Sequence, residues 1–180
     1  MVRSGFDPRS VYLWTLPMFH CNGWCTVWAF TAVGGTHVCL PLVDPAEIWR
    51  LIDAEQVTHL DAAPTVRVSI ANAGQAHHLT QPLTITTAGA PPSPSIIAQL
   101  EGLGAKIVHV YGLTETYGPY AVCEDQADWR NLNPASARGY CPGRASAWCR
   151  PTDCGWSTTL WTTCPQMVRR WARSSCGATT

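Results

Sequence analysis

Apolar runs of strand length alternate along this chain with stretches of helical spacing. VYLWTLP (residues 11–17) is β-branched and aromatic and stops at a proline, so it predicts a strand. FHCNGW follows, and then CTVWAFTAV (25–33), an apolar run read as a buried helix ending at Gly34-Gly35. THVCLP (36–41) is the second predicted strand. DPAEIWRLIDAEQ (44–56) opens with Asp44 as N-cap, Pro45 at the first helical position and Glu47 three residues after the cap. In a capping box of this kind the two acidic side chains satisfy free backbone N–H groups. Ile48, Leu51 and Ile52 then fall on one helical face. VTHLDAAP (57–64) predicts a third strand and TVRVSIANAG (65–74) a helix. LTITTAG (83–89) predicts the fourth strand, SIIAQLEGLG (95–104) a helix and KIVHVYG (106–112) the fifth strand. Strands alternating with helices of about 10–15 residues imply a parallel sheet covered by helices, joined by right-handed crossovers.

From Ala135 onward neither a period of 2 nor one of 3.6 persists, and no element is predicted there. Composition shifts at the same place. The net charge of zero divides into six Lys/Arg against eleven Asp/Glu over residues 1–134, and six Arg against the single Asp153 over 135–180. Five of the nine Cys and four of the nine Trp also lie in the tail. Such a break marks a boundary, and a basic end alone would suggest nucleic acid, but these Arg residues form no stripe or recognisable fold. The expected partners therefore exclude nucleic acid. An apolar fraction of 46% supports a packed core. No run of about 18 apolar residues appears, so no integral membrane segment is expected. The start, MVRSGFDPRS, lacks the apolar stretch of a secretory signal, and a cytoplasmic location is expected. Cys21 and Cys25 are separated by three residues, Cys149 and Cys154 by four, and no CxxC pair exists. That is no metal signature, and Cys21, Cys25, Cys39 and Cys123 are expected to be buried, reduced thiols.

The stretch with the most chemistry is YGLTETYGP (111–119). It follows the fifth apolar run, turns at Gly112 and presents Thr114, Glu115 and Thr116 together. Open α/β sheets bind ligands beyond the carboxyl ends of their strands, where such a polar turn would lie. An ordinary strand-end turn with a solvated Glu has the same local appearance.

Several separated motifs, in order, resemble the AMP-forming acyl-CoA synthetases of the adenylate-forming, or acyl-activating, superfamily, and in particular its short- to medium-chain branch. They are YLWTLPMFHCNGW, GGTHVCL, VTHLDAAPTV, TAGAPP and HVYGLTETYGP with CEDQADW, spanning about residues 11–133. The resemblance implies a reaction in two halves. A carboxylate attacks the α-phosphate of ATP to give an acyl-adenylate and pyrophosphate, and the thiol of CoA then displaces AMP. It further implies that Thr114 contacts the α-phosphate and that Glu115 coordinates Mg²⁺, a hard cation suited to carboxylate oxygen. Tyr111 and Gly112 would flank the adenine, and Gly89, Ala90 and Pro91 would line the adenine and acyl side. His20 and Trp24 would border the acyl pocket, although each also suits a plain core role. Thr65 lies near the site by the same likeness, and a hydroxyl at a helix N-terminus would look no different. The other five His carry no functional assignment.

The family pattern also requires a Ser/Thr/Gly-rich phosphate loop ending in Pro-Lys-Gly, and a small C-terminal domain with a catalytic lysine. Neither is found here, and Lys106 is the only Lys. The expectation is therefore a slice of the large domain, inactive by itself because the missing groups stabilise the transition state. The tail fits a frameshift near Pro134-Ala135. Taking the third base of each codon with the first two of the next, residues 156–180 can be reread as VDDVVDDVPADGETVGEIVMRGNN, the acidic turn and Gly-Glu…Arg-Gly-Asn strand of the family. Most of those bases are free choices, but Trp161-Thr162 must yield Asp, and Met167-Val168 and Trp171-Ala172 must each yield Gly.

The expected fold is α/β, a partial parallel sheet with flanking helices from a large adenylating domain (1–134), followed by an irregular tail (135–180). The expected ligands are a short-to-medium carboxylic acid, ATP, Mg²⁺ and CoA. The rival expectation is a non-enzymatic remnant with at most weak nucleotide or acyl binding.

Overall fold

The computed structural model describes residues 5–89, 93–116 and 118–122, with the side chains of residues 21–24, 116, 120 and 121 left aside. Ala90, Pro91, the side chain of Trp24 and the whole of the proposed tail lie outside the described residues. The elements are β1 (Val11–Trp14), α1 (Cys21–Val33), β2 (Thr36–Cys39), α2 (Pro45–Ala54), β3 (His59–Asp61), α3 (Pro64–Ala71), β4 (Leu83–Thr87), α4 (Pro94–Gly102) and β5 (Ala105–Leu113). A 3₁₀ turn (Thr114–Thr116) and β6 (Gly118–Val122) follow. The sheet order is β2-β1-β3-β4-β5-β6. The first five strands are parallel, while β6 runs antiparallel to β5, so the sheet is mixed.

The pleat of β1 explains how helices come to cover both faces. Leu13 points into the larger core with Ile48, Trp49 and Ile52 of α2, Val66 and Ile70 of α3, and Leu83 and Ile85 of β4. Its neighbours Tyr12 and Trp14 point the other way and pack with Phe30 of α1. Successive side chains on a strand face opposite sides, so a run that is apolar throughout specifies a strand buried on both. α1 touches β2 at one sheet edge and β6 at the other, so the sheet curls around it. Its sequence has no single apolar face, and among its described side chains Thr26 and Phe30 are buried while Trp28, Thr31 and Ala32 are exposed.

Three expectations need correction. The last strand does not end in a turn at Gly112. It continues to Leu113, with a bulge between Tyr111 and Gly112, and the chain folds back as β6. A Cβ at Gly112 would overlap the carbonyl of Gly118, so this glycine serves the close approach of two strands. The cap of α2 is half of a capping box. Asp44 accepts from the Glu47 N–H at 3.0 Å, but the Glu47 carboxylate takes two bonds from Arg50 instead of reaching back. Finally, Cys39 is exposed on the edge strand, not buried.

Candidate functional site

Because β1 to β5 are parallel, their carboxyl ends share one edge of the sheet, and the segments that leave those ends meet there. The segment after β1 makes a turn at Pro17, where the His20 N–H donates to the Pro17 carbonyl at 3.1 Å, and places His20 exposed just before α1. Gly89 stands exposed after β4 with φ +79°, a left-handed conformation that glycine adopts without strain. Tyr111 and Gly112 are half-buried near the carboxyl end of β5, and burial raises the Tyr111 phenol above its ordinary pKa. Thr114 and Glu115 are exposed on the 3₁₀ turn beyond it. The expected site residues are thus on one edge as far as they are described. Trp24 belongs to the first turn of α1, directly after His20. Thr65 is exposed in the first turn of α3; the N-cap there is Ala63, without a side-chain bond, so the Thr65 hydroxyl does no capping.

Strand order reverses between β1 and β3, since the chain goes from β1 to β2 on one side and then crosses to β3 on the other. Crevices in open sheets form at such a switch point. A buried polar cluster occupies it here. Asp61 closes β3 with its side chain on the α1 face, where Thr26 of α1 donates to its Oδ2 at 3.3 Å. The hydroxyl of Thr15, just past β1, donates to the Asp61 carbonyl. Burial pushes the Asp61 carboxyl up to about 6, and the hydroxyls of Tyr12, Thr86 and Thr26 hold it from rising further. Burial, and then the Asp61 charge, push the Tyr12 phenol well above its usual range, and its hydroxyl makes no hydrogen bond of good geometry among the described residues.

The opposite face carries a second buried polar group at the same edge. Thr87 and His109 are paired across β4 and β5, and both are buried, as is Arg67 of α3. Burial, with the Arg67 charge second, lowers His109 to about 4, so its ring is neutral at neutral pH. Sequence reasoning missed both clusters. Asp61 reads as the polar end of a strand and Arg67 as a solvated helix residue, and nothing in the local pattern marks either as interior.

A metal ion has limited anchorage among the described residues, where no group of three His, Cys, Asp or Glu side chains converges. Glu115 offers a single exposed carboxylate beside a hydroxyl. That fits Mg²⁺, which binds through one or two carboxylates together with substrate phosphates. No described helix is long and apolar enough to cross a membrane.

Comparison with known proteins points the same way. Residues 1–143 match the family described as AMP-binding enzyme. The chain is 49% identical over 129 residues to the probable acyl-activating enzyme 9 of Arabidopsis thaliana, covering 72% of this chain and 24% of that protein. It is 47% identical over 128 residues to 4-hydroxybutyrate–CoA ligase 2 of Metallosphaera sedula, covering 70% and 23%. The inhibitor-bound N-terminal domain of FACL13 from Mycobacterium tuberculosis superposes with a TM-score of 0.63 at 28% identity, covering 70% of this chain and 32% of that one. The chain therefore spans about a quarter of the length of the curated relatives.

Proposed function

The chain belongs to the AMP-binding enzyme family, and from that premise we propose that it is part of an acyl-CoA ligase that activates a fatty or other short-to-medium carboxylic acid with ATP and passes the acyl group to CoA. The observation that carries this reading is the common edge that joins His20, Gly89, Tyr111, Thr114 and Glu115 at the carboxyl ends of parallel strands. The names of the two curated relatives, an acyl-activating enzyme and a CoA ligase, support it.

Attack of a carboxylate on the α-phosphate brings two anions together, so the site must neutralise charge and hold the groups in line. Thr114 would donate its hydroxyl to the α-phosphate. Glu115 would hold Mg²⁺, which neutralises phosphate charge when bound. Tyr111 and Gly112 would flank the adenine, with Gly89, Ala90 and Pro91 offering backbone close to the ring. His20 and Trp24 would border the acyl group, Trp24 by packing.

Titration of the protein with ATP and Mg²⁺ tests this. Amide NMR signals of Gly89 and residues 111–116 should shift saturably, and Glu115→Gln should remove the part that depends on Mg²⁺. No saturable shift, or shifts confined to the amino-end edge of the sheet, would overturn the assignment. Complete turnover is not proposed for these 180 residues by themselves, since Lys106 is their only lysine and lies exposed in β5. The alternative, a non-enzymatic remnant with weak nucleotide or acyl binding, rests on the same short span. Acyl-CoA formed by this purified chain from acid, ATP and CoA would sink both the inactivity and the remnant reading.

Residues 135–180 are proposed to be read out of frame, with the shift near Pro134-Ala135; the family match ends shortly beyond, at residue 143. Sequencing the coding strand tests this directly. Codons for the acidic turn and the Arg-Gly-Asn-Asn end should appear in the neighbouring frame, and their absence would make the basic Cys/Trp-rich tail a genuine segment.

A further inference from the structure

Residues 16–25 form the segment that leaves β1 and enters α1, and they carry Phe19, His20 and Trp24. Both ends of this segment are fastened to the same residue. At its start the Thr15 hydroxyl donates to the backbone carbonyl of Asp61, and at its finish the Thr26 hydroxyl donates to the Asp61 carboxylate at 3.3 Å. All three residues are buried, and the anchor lies at the sheet's switch point, where the chain direction leaves room above the carboxyl ends. Between the two anchors the described structure projects outward, with Phe19 87% exposed and His20 exposed. Hydrogen bonds at the base of a projecting segment help to set how far it moves.

We propose that Asp61 is a positioning residue for the carboxyl-edge site, holding the 16–25 segment by both ends and thereby setting where His20 and the first turn of α1 stand. The inference rests on the reading of that edge as the ligand site, but the pinning itself does not, and its test uses no activity. One residue serves as both anchors through different groups, so the two can be separated. Of the two anchors, replacing the side chain touches the Thr26 bond and leaves the Thr15 bond, which is made to the main chain. Among the described residues the groups that face the Asp61 carboxyl are the Tyr12 phenol from β1, the Thr26 hydroxyl from α1 and the Thr86 hydroxyl from β4, none of them charged. Above pH 6 Thr26 donates to an ionised carboxylate, the stronger kind of bond, and below it to a neutral acid.

Hydrogen exchange followed by mass spectrometry on the full chain reads the pinning segment by segment. Thr26→Val and Thr15→Val should each speed exchange of residues 16–25 by about tenfold, the effect of losing one buried hydrogen bond. Peptides of β4 and α4 should remain at the wild-type rate. Asp61→Asn keeps an acceptor for Thr26, so it should stay near wild type at acid pH. It should also lose the fall in protection, corrected for intrinsic rates, that the wild-type segment shows between pH 5 and pH 7, because opening hydrates a carboxyl whose ionised form burial disfavours. A uniform acceleration across all peptides would mean general destabilisation and overturn the proposal. So would unchanged exchange of 16–25 in Thr26→Val, which suffices alone should Thr15→Val fail to fold. If the pinning holds while ATP leaves the carboxyl edge unshifted, the functional reading fails and the anchor stands.

Discussion

At the scale of single residues, two positions have roles that their local sequence does not announce. Gly112 looks like a turn glycine, yet it lies within β5, where a Cβ would meet the backbone of Gly118 and Pro119. Backbone cannot yield as a flexible side chain can, so Gly112→Ala should cost on the order of 1–3 kcal/mol. Gly74→Ala, where nothing lies near the new methyl, should cost much less. Paired denaturant titrations check this, and equal midpoints would show that β6 does not pack as described. Asp61 is the second case. Its carboxyl ordinarily titrates at 3.8 and is held near 6 in the fold. Between those values the folded chain keeps a proton that the unfolded chain has lost, so stability falls as pH rises from about 4 to about 6 and is level above. The penalty is roughly 3 kcal/mol at neutral pH. Asp61→Asn should therefore show a flatter profile over this window and gain stability relative to wild type as pH rises. A parallel profile in the two proteins would place Asp61 in contact with water.

At the scale of elements, caps and prolines set most boundaries. Asp44 with Pro45, and Ser93 with Pro94, start α2 and α4, each cap accepting from the N–H three residues on. Removing the Asp44 carboxylate should cost about 1 kcal/mol. Asp44→Ala should therefore lower the denaturation midpoint clearly, and Glu47→Ala much less, because Glu47 makes an exposed pair with Arg50 and caps nothing. Equal losses would restore the reciprocal capping box. Alternation and apolar runs located β1 to β5 to within a few residues, because each strand must bury side chains and each run ends at a Pro, a Gly or a polar loop. β6 escaped notice for a physical reason. GPYAV is short, starts with Gly-Pro and among the described residues pairs with β5 alone, so it shows no apolar run of its own.

At the scale of the whole molecule, the described structure leaves Phe19, Trp28 and Leu42 exposed by 87%, 60% and 76% on and around α1 and the edge strand β2. Apolar side chains spread this openly should make the folded chain bind an apolar dye and associate with itself. Replacing all three with Ser should reduce both, measured by dye fluorescence and light scattering; unchanged scattering would mean that other surface drives association. The sequence by itself determined the alternation of strands and helices, the family likeness and the order of the site motifs, since these depend on neighbours in the chain and on residue type. Only the tertiary structure decided that β5 is answered by an antiparallel β6, that the sheet curls around α1, and that Tyr12, Thr15, Thr26 and Asp61 form one buried cluster. Asp61 lies 35 residues beyond Thr26 and 46 beyond Thr15 in the chain. A crossover between strands brings them together, and burial then turns an ordinary strand-end carboxylate into a group that titrates near 6.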